Sequence, residues 1–194
     1  LEVVSLVGAT TTQLEPHIAV TPQDLAEVKS TVTLSDKPLV VLHPGASDYR
    51  RRWAAEKFAA VGDALVEADV DVVITGIKLE RECIDAVVKS MKTQAQNLCD
   101  RLSVGGLAGL LKLSTLVISN DTGSLHLATA VGTATVGIYW CGNLINAGPM
   151  TRSRHRPAIS WRLHCPVCGV DCTRVMCDHN DSFVDDVSIE EVLD

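Results

Sequence analysis

The stretch SNDTGSLHLATAVG, residues 119–132, sets a carboxylate, hydroxyls, a glycine and a histidine where an apolar strand gives way to a helix. Leu116, Val117 and Ile118 read as a buried parallel strand, and Leu125, Leu127, Ala128 and Val131 have helical spacing. Asp121, Thr122 and Gly123 therefore fall on the turn. Free backbone N–H groups at such a helix start, backed by the helix dipole, bind anions, and Gly123 lets a ligand approach the main chain closely. For Asn-Asp-Thr-Gly alone, an ordinary capped helix is the competing reading.

Residues 39–53, LVVLHPGASDYRRRW, repeat the arrangement: an apolar strand, a glycine-containing loop, then an amphipathic helix. A third strand, 71–75, ends at Gly76 and carries Glu80 just beyond, a carboxylate suited to two vicinal ribose hydroxyls. The alternation continues with helices over 53–68, 79–91, 104–112 and 124–131, a short strand near 97–99, and strands over 115–119 and 135–139. This predicts right-handed βαβ units and a mostly parallel α/β sheet, whose ligand loops gather at the carboxyl ends of the strands. His43, Gly45, Ala46, Ser47 and the three arginines 50–52 then face Asp121–His126 across one cleft. Residues 1–36 read as a connector: a short strand near Val3–Val7, a Thr-rich turn, and a helix with Thr21 as N-cap and Pro22 in the first position. Ser188-Ile-Glu-Glu191 has capping-box spacing and starts a last helix. No G-x-G-x-x-G follows the first strand, which disfavours an NAD-binding protein.

A chain of 194 residues, 46% hydrophobic and 4% aromatic, can build one core of this kind. Its net charge of −7 argues against general nucleic-acid binding, which needs a basic surface. No run reaches the roughly 18 apolar residues of a membrane span, and nothing reads as a signal peptide, so a soluble, cytoplasmic domain is expected. The start inside the apolar run LEVVSLV, without an initiator Met, suggests a piece of a longer chain.

In order, HPGAS…RRW, TG…E, the helical stretch after Leu102-Ser103, and NDTGSLHLATAVG resemble glycosyltransferase family 9, specifically the C-terminal half of ADP-heptose:lipopolysaccharide heptosyltransferases. The resemblance implies a Rossmann-like parallel sheet flanked by helices, the C-terminal half of a two-domain GT-B glycosyltransferase. Residues 1–36 would be the connector from an N-terminal domain, and 37–194 the domain that binds the donor nucleotide sugar. On the same ground Arg51 and Asp121 form the catalytic pair, the arginine stabilising charge on the departing diphosphate and the aspartate contacting the donor sugar. Ala46 and Ser47 match donor-contacting positions, Glu80 the ribose contact and Leu102 the adenine neighbour. Thr122, Gly123 and His126 match the diphosphate contacts. The implied reaction is inverting transfer of heptose from an ADP-sugar donor to the lipopolysaccharide core. Acceptor and catalytic base would belong to the N-terminal half, so this chain alone would bind donor without transferring it. No cofactor is implied for catalysis, and the implied setting is the cytoplasm, with peripheral contact at the cytoplasmic face of the inner membrane. The residues themselves leave other readings open. They include a UDP-sugar transferase or epimerase, a non-catalytic nucleotide-binding module, a solvated face for the arginines, a charged helix start at Glu80 and a structural role for His126.

Cys165, Cys168, Cys172 and Cys177 form C-x2-C-x3-C-x4-C within a Cys-rich segment at 164–179. Four thiols this close in a reducing compartment suggest a metal, with structural zinc the simplest choice; disulfides and free thiols are the other readings. Cys83, Cys99 and Cys141 are isolated and read as packed side chains. The basic run TRSRHRP, residues 151–157, reads either as a loop near the cleft mouth or as a solvated loop.

Overall fold

The computed structural model describes residues 5–10, 12–175 and 177–194. Six parallel strands form one sheet: β1 Leu39–His43, β2 Asp71–Ile74, β3 Gln96–Asn97, β4 Leu116–Asn120, β5 Ala134–Trp140 and β6 His155–Ser160. Their order, β3-β2-β1-β4-β5-β6, is that of a Rossmann fold, with the direction of winding reversing between β1 and β4. Seven described helices accompany it: α1 Pro22–Thr31, α2 Ala55–Glu67, α3 Arg81–Ser90, α4 Val104–Leu113, α5 Gly123–Ala130, α6 Cys141–Ala147 and α7 Ile189–Leu193.

The strands are apolar on both faces because helices cover both. Val40, Leu42, Val72 and Ile74 join Trp53, Phe58, Ile84 and Val192 in one core layer. Val41, Val73 and Val117 alternate into the other layer, against Val28, Leu110, Leu111 and Ala128. Local signals set the helix starts. Thr21 and Asp24 close a capping box on α1, Ser103 caps α4 by accepting from the Gly106 N–H at 3.0 Å, and Ser188 caps α7 by accepting from the Glu191 N–H at 3.1 Å.

Two expectations need correction, and one helix lies where none is expected. Val3 and Val4 lie outside the described residues, and Ser5–Gly8 forms a turn closed by the Gly8 N–H on the Ser5 carbonyl at 3.0 Å, so the strand expected there does not extend through Val7. The basic run 151–157 does not end in a loop: His155 opens edge strand β6, paired with Thr135 at the amino end of β5. That is the opposite edge of the sheet from the carboxyl ends. Helix α6 was not foreseen, being seven residues long without a clear apolar stripe.

Candidate functional site

Because β1 and β4 are neighbours, the loops that follow them form the two walls of a crevice at the switch in winding. Asn120, the wholly buried last residue of β4, ties the walls together. Its Oδ1 accepts from the Trp53 N–H at 3.1 Å, and its Nδ2 donates to the Pro44 carbonyl at 2.8 Å. Sequence reasoning passed over this residue, although a polar side chain at the end of an otherwise apolar buried strand was a signal.

Past Pro44 the loop lies directly on Glu80. A Cβ at Gly45 would fall 2.2 Å from the Glu80 Cδ, so any larger residue there would displace the Glu80 carboxylate from its place. Glu80 itself is only 7% exposed. Its Oε2 accepts from the Ile77 N–H at 3.0 Å and stands 3.8 Å from Nε2 of the buried His43. The His43 Nδ1 lies 3.1 Å from the Thr75 hydroxyl and its Nε2 lies 3.2 Å from the Ser124 hydroxyl. Burial lowers the pKa of His43, outweighing the opposing pull of Glu80, so the ring is neutral near pH 7. Ala46 is fully buried, and its carbonyl accepts from the Arg52 Nε at 2.8 Å.

Asp48 then caps a short 3-10 turn, Tyr49–Arg51, that aims Arg51 across the crevice. The Arg51 Nη1 donates to the Asp121 carbonyl at 3.1 Å and to the Asp121 Oδ2 at 3.3 Å, while Nη2 donates to the Ser47 hydroxyl at 3.2 Å. Asp121 also accepts from the Asn143 Nδ2 at 2.6 Å, and its Oδ1 is 3.4 Å from the His126 Nε2. Burial works to raise the carboxyl pKa, but hydrogen bonds from His126 and Asn143 and the Arg51 charge outweigh it and hold it below its ordinary value. Asn143, on the unforeseen α6, had no distinguishing sequence signal.

Thr122 stands at the N-cap of α5 in extended conformation, without a side-chain cap bond. Gly123 is exposed; a Cβ there would meet no atom within 4 Å, and its φ lies outside the left-handed region. Neither backbone conformation nor internal packing therefore calls for glycine at this point, and the first-turn amides are open to approach. Beside this helix end is a pocket lined chiefly by apolar groups, among them Ile77, Leu98, Leu102 and Leu107. Another is lined by Asp48, Arg50, Arg51, Trp140, Asn143, Cys172 and Phe183. The expected site residues thus come to one sheet edge, with Glu80 and Ala46 beneath the loop surface.

The cysteine segment packs behind the arginine turn. Cys165, Cys168, Cys177 and His179 bring donor atoms within 4.8 Å of one another, a set that can hold a metal ion. Cys172, expected as the fourth ligand, is outside this set and is buried against Phe183, with its Sγ 3.9 Å from that of Cys177. N–H groups of Cys168 and Val167, opposed by burial, lower the Cys165 thiol pKa to about 7.

A sequence model described as glycosyltransferase family 9 (heptosyltransferase) matches residues 3–165. Lipooligosaccharide heptosyltransferase 2 of Haemophilus influenzae is 25% identical over 136 residues, covering 65% of this chain and 39% of the relative. A family 9 glycosyl transferase from Veillonella parvula has the same fold, with TM-score 0.79 and 22% identity over 99% of this chain and 56% of that one. E. coli ADP-heptose lps heptosyltransferase II superposes with TM-score 0.74 and 17% identity, covering 95% of this chain and 53% of that one. The chain therefore spans about two fifths of the curated relative and just over half of these two solved chains.

Proposed function

Because the chain belongs to glycosyltransferase family 9, we propose that residues 37–194 are the donor-binding domain of a heptosyltransferase that transfers heptose from ADP-heptose to the lipopolysaccharide core. Residues 1–36 would lead in from the N-terminal half that binds the acceptor. The observation that carries this reading is the contact of Arg51 with Asp121 across the β1–β4 crevice, beside the open start of α5.

The adenine occupies the apolar cavity against Leu102, and the ribose lies toward Glu80. The diphosphate meets the α5 amides at Thr122 and Gly123, with Ser47, Arg51 and His126 around it. Arg51 has five N–H donors, and its Nε and one Nη2 hydrogen remain for phosphate oxygens after the contacts to Asp121 and Ser47. Asp121 holds Arg51, Asn143 and His126 in register and directs one remaining oxygen lone pair at the sugar. During transfer an acceptor oxygen bonds to the anomeric carbon as the bond from that carbon to the diphosphate breaks. The electron pair leaves with the diphosphate, where Arg51 and the helix amides stabilise it. The acceptor proton goes to a base in the N-terminal half, so this chain alone binds donor and does not turn it over. Side chains and amides meet the charge, and no catalytic metal is invoked.

The acceptor sets the setting, the cytoplasmic face of the inner membrane; no described helix is long and apolar enough to cross a membrane. Structural zinc in the cysteine segment completes the reading. Calorimetric titration with ADP, UDP and GDP tests the donor: ADP is expected to bind best, and stronger binding of UDP would transfer the chain to the UDP-sugar alternative. If Asp121→Ala leaves the interaction with every nucleotide sugar unchanged, a non-catalytic module is the better description.

A further inference from the structure

We propose that Cys165, Cys168, Cys177 and His179 form a tetrahedral zinc site, and that the bound metal braces from behind the turn carrying Arg51. The bracing half of this proposal rests on the donor site described above.

The donor set fits the ion. A tetrahedron with zinc–sulfur bonds of about 2.3 Å has edges of about 3.8 Å. The four donor atoms already lie within 4.8 Å of one another. Cys165 begins a tight knuckle: its carbonyl accepts from the Gly169 N–H at 3.0 Å, and its Sγ from the Val167 N–H at 3.4 Å. An N–H aimed at sulfur suits a thiolate ligand. The His179 Nδ1 is buried and has no hydrogen-bond partner among the described residues, a costly arrangement for a ring nitrogen unless something takes its lone pair. We assign it as the fourth ligand. Cys172 lies outside the four-donor set, buried against Phe183 with its Sγ 3.9 Å from that of Cys177, and serves as packing.

From the metal the structure runs directly to the arginine turn. Cys165 and Cys172 pack on Phe183, whose N–H donates to the Arg50 carbonyl at 2.7 Å and whose ring lies 5.9 Å from the Arg50 guanidinium carbon. The neighbouring Ser182 hydroxyl donates to the Arg52 carbonyl at 2.6 Å. Both backbone carbonyls flanking Arg51 are thus held by a segment lying just past the ligand cluster. Within the knuckle the Cys165 N–H donates to the Val170 carbonyl and the Cys172 N–H to the Leu163 carbonyl, each at 2.9 Å, and the pairing of His164 with Asp171 is an isolated bridge rather than a strand.

Elemental analysis of the chain purified under reducing conditions tests the site, with Cys168→Ser, His179→Gln and Cys172→Ser compared at matched circular dichroism. About one zinc per chain is expected for the unmodified chain and for Cys172→Ser, and near-complete loss for the other two. Retention by His179→Gln with loss by Cys172→Ser would overturn the ligand set. Iron in place of zinc, or an intact mass showing a Cys172–Cys177 disulfide, would overturn the site as proposed. Bracing is tested by titrating ADP and adenosine into zinc-loaded and chelator-stripped chain. Stripping should weaken ADP at least fivefold and leave adenosine unchanged, since only the diphosphate reaches Arg51; equal loss for both, or no loss for ADP, overturns it. A failure of the donor reading shows separately, as zinc-loaded chain that binds neither compound while its zinc count is unchanged.

Discussion

Gly123→Ala separates the proposed ligand site from an ordinary helix start, because the two readings expect opposite consequences. The added methyl would meet no protein atom within 4 Å, and the backbone is outside the left-handed region, so the folded chain accommodates it without strain. Removing a glycine then stabilises by about 0.4–1 kcal/mol through the unfolded chain. For a domain of this size that raises Tm by roughly 1–4 °C. A diphosphate oxygen approaching the Gly123 and Ser124 amides would instead meet the methyl. Losing one charged hydrogen bond to that end is worth about 1.5–3 kcal/mol, or roughly ten- to a hundredfold in affinity. Differential scanning fluorimetry gives the first quantity and calorimetric titration with ADP the second. A variant with raised Tm and undiminished ADP affinity would show that no phosphate reaches the start of α5.

Asn120→Ala strands the Trp53 N–H and the Pro44 carbonyl in the interior; at about 1–3 kcal/mol for each unsatisfied group, we expect a loss near 3 kcal/mol in urea unfolding. A loss below about 1 kcal/mol would mean that the loops are tied elsewhere. Arg51→Ala should weaken ADP by tenfold or more and leave adenosine binding unchanged, and equal effects on both would place the arginine away from the phosphates. His43 and His155 both have pKa values lowered by burial. The unfolded chain therefore binds protons that the folded chain refuses. Stability from this source is full above the ordinary histidine value of about 6.5 and falls as pH drops toward the lowered values, by up to about 1.4 kcal/mol per pH unit for each ring. His43→Gln should flatten that slope in melts between pH 7.5 and 5.5, and an unchanged slope would remove His43 as its source.

Most of the fold could be read because its central strands are buried on both faces and so appear as unbroken apolar runs. That signal fails at the edge. Strand β6, HRPAIS, pairs on one side only and opens with His155, the exposed Arg156 and Pro157 in place of an apolar run, so it looked like a basic loop. The two loops of the site could be placed since each follows a central strand, and topology alone brings their ends together. What the sequence did not reveal were the polar residues that act through other residues. Asn120 binds only backbone groups of a loop 67 to 76 positions away, and Asn143 reaches Asp121 from a helix without a periodic pattern. The cysteine segment differs from its spacing for a related reason: spacing identifies thiols that are near in sequence, whereas the path of the chain brings His179 within reach of Cys165, Cys168 and Cys177 and leaves Cys172 outside that set.

Asn120 hydrogen-bonds both to the amide of Trp53 and to the carbonyl of Pro44, at the two ends of a single loop. The crevice floor therefore has no hinge of its own: neither end can swing without breaking a buried bond to the same side chain. The conformational entropy of shaping that floor is lost when the protein folds, not when a nucleotide arrives, which leaves more of the contact energy to appear as affinity. Any opening motion must then belong to the rim, to Ser47, Arg51 and His126, whose side-chain rotations are fast compared with loop rearrangement.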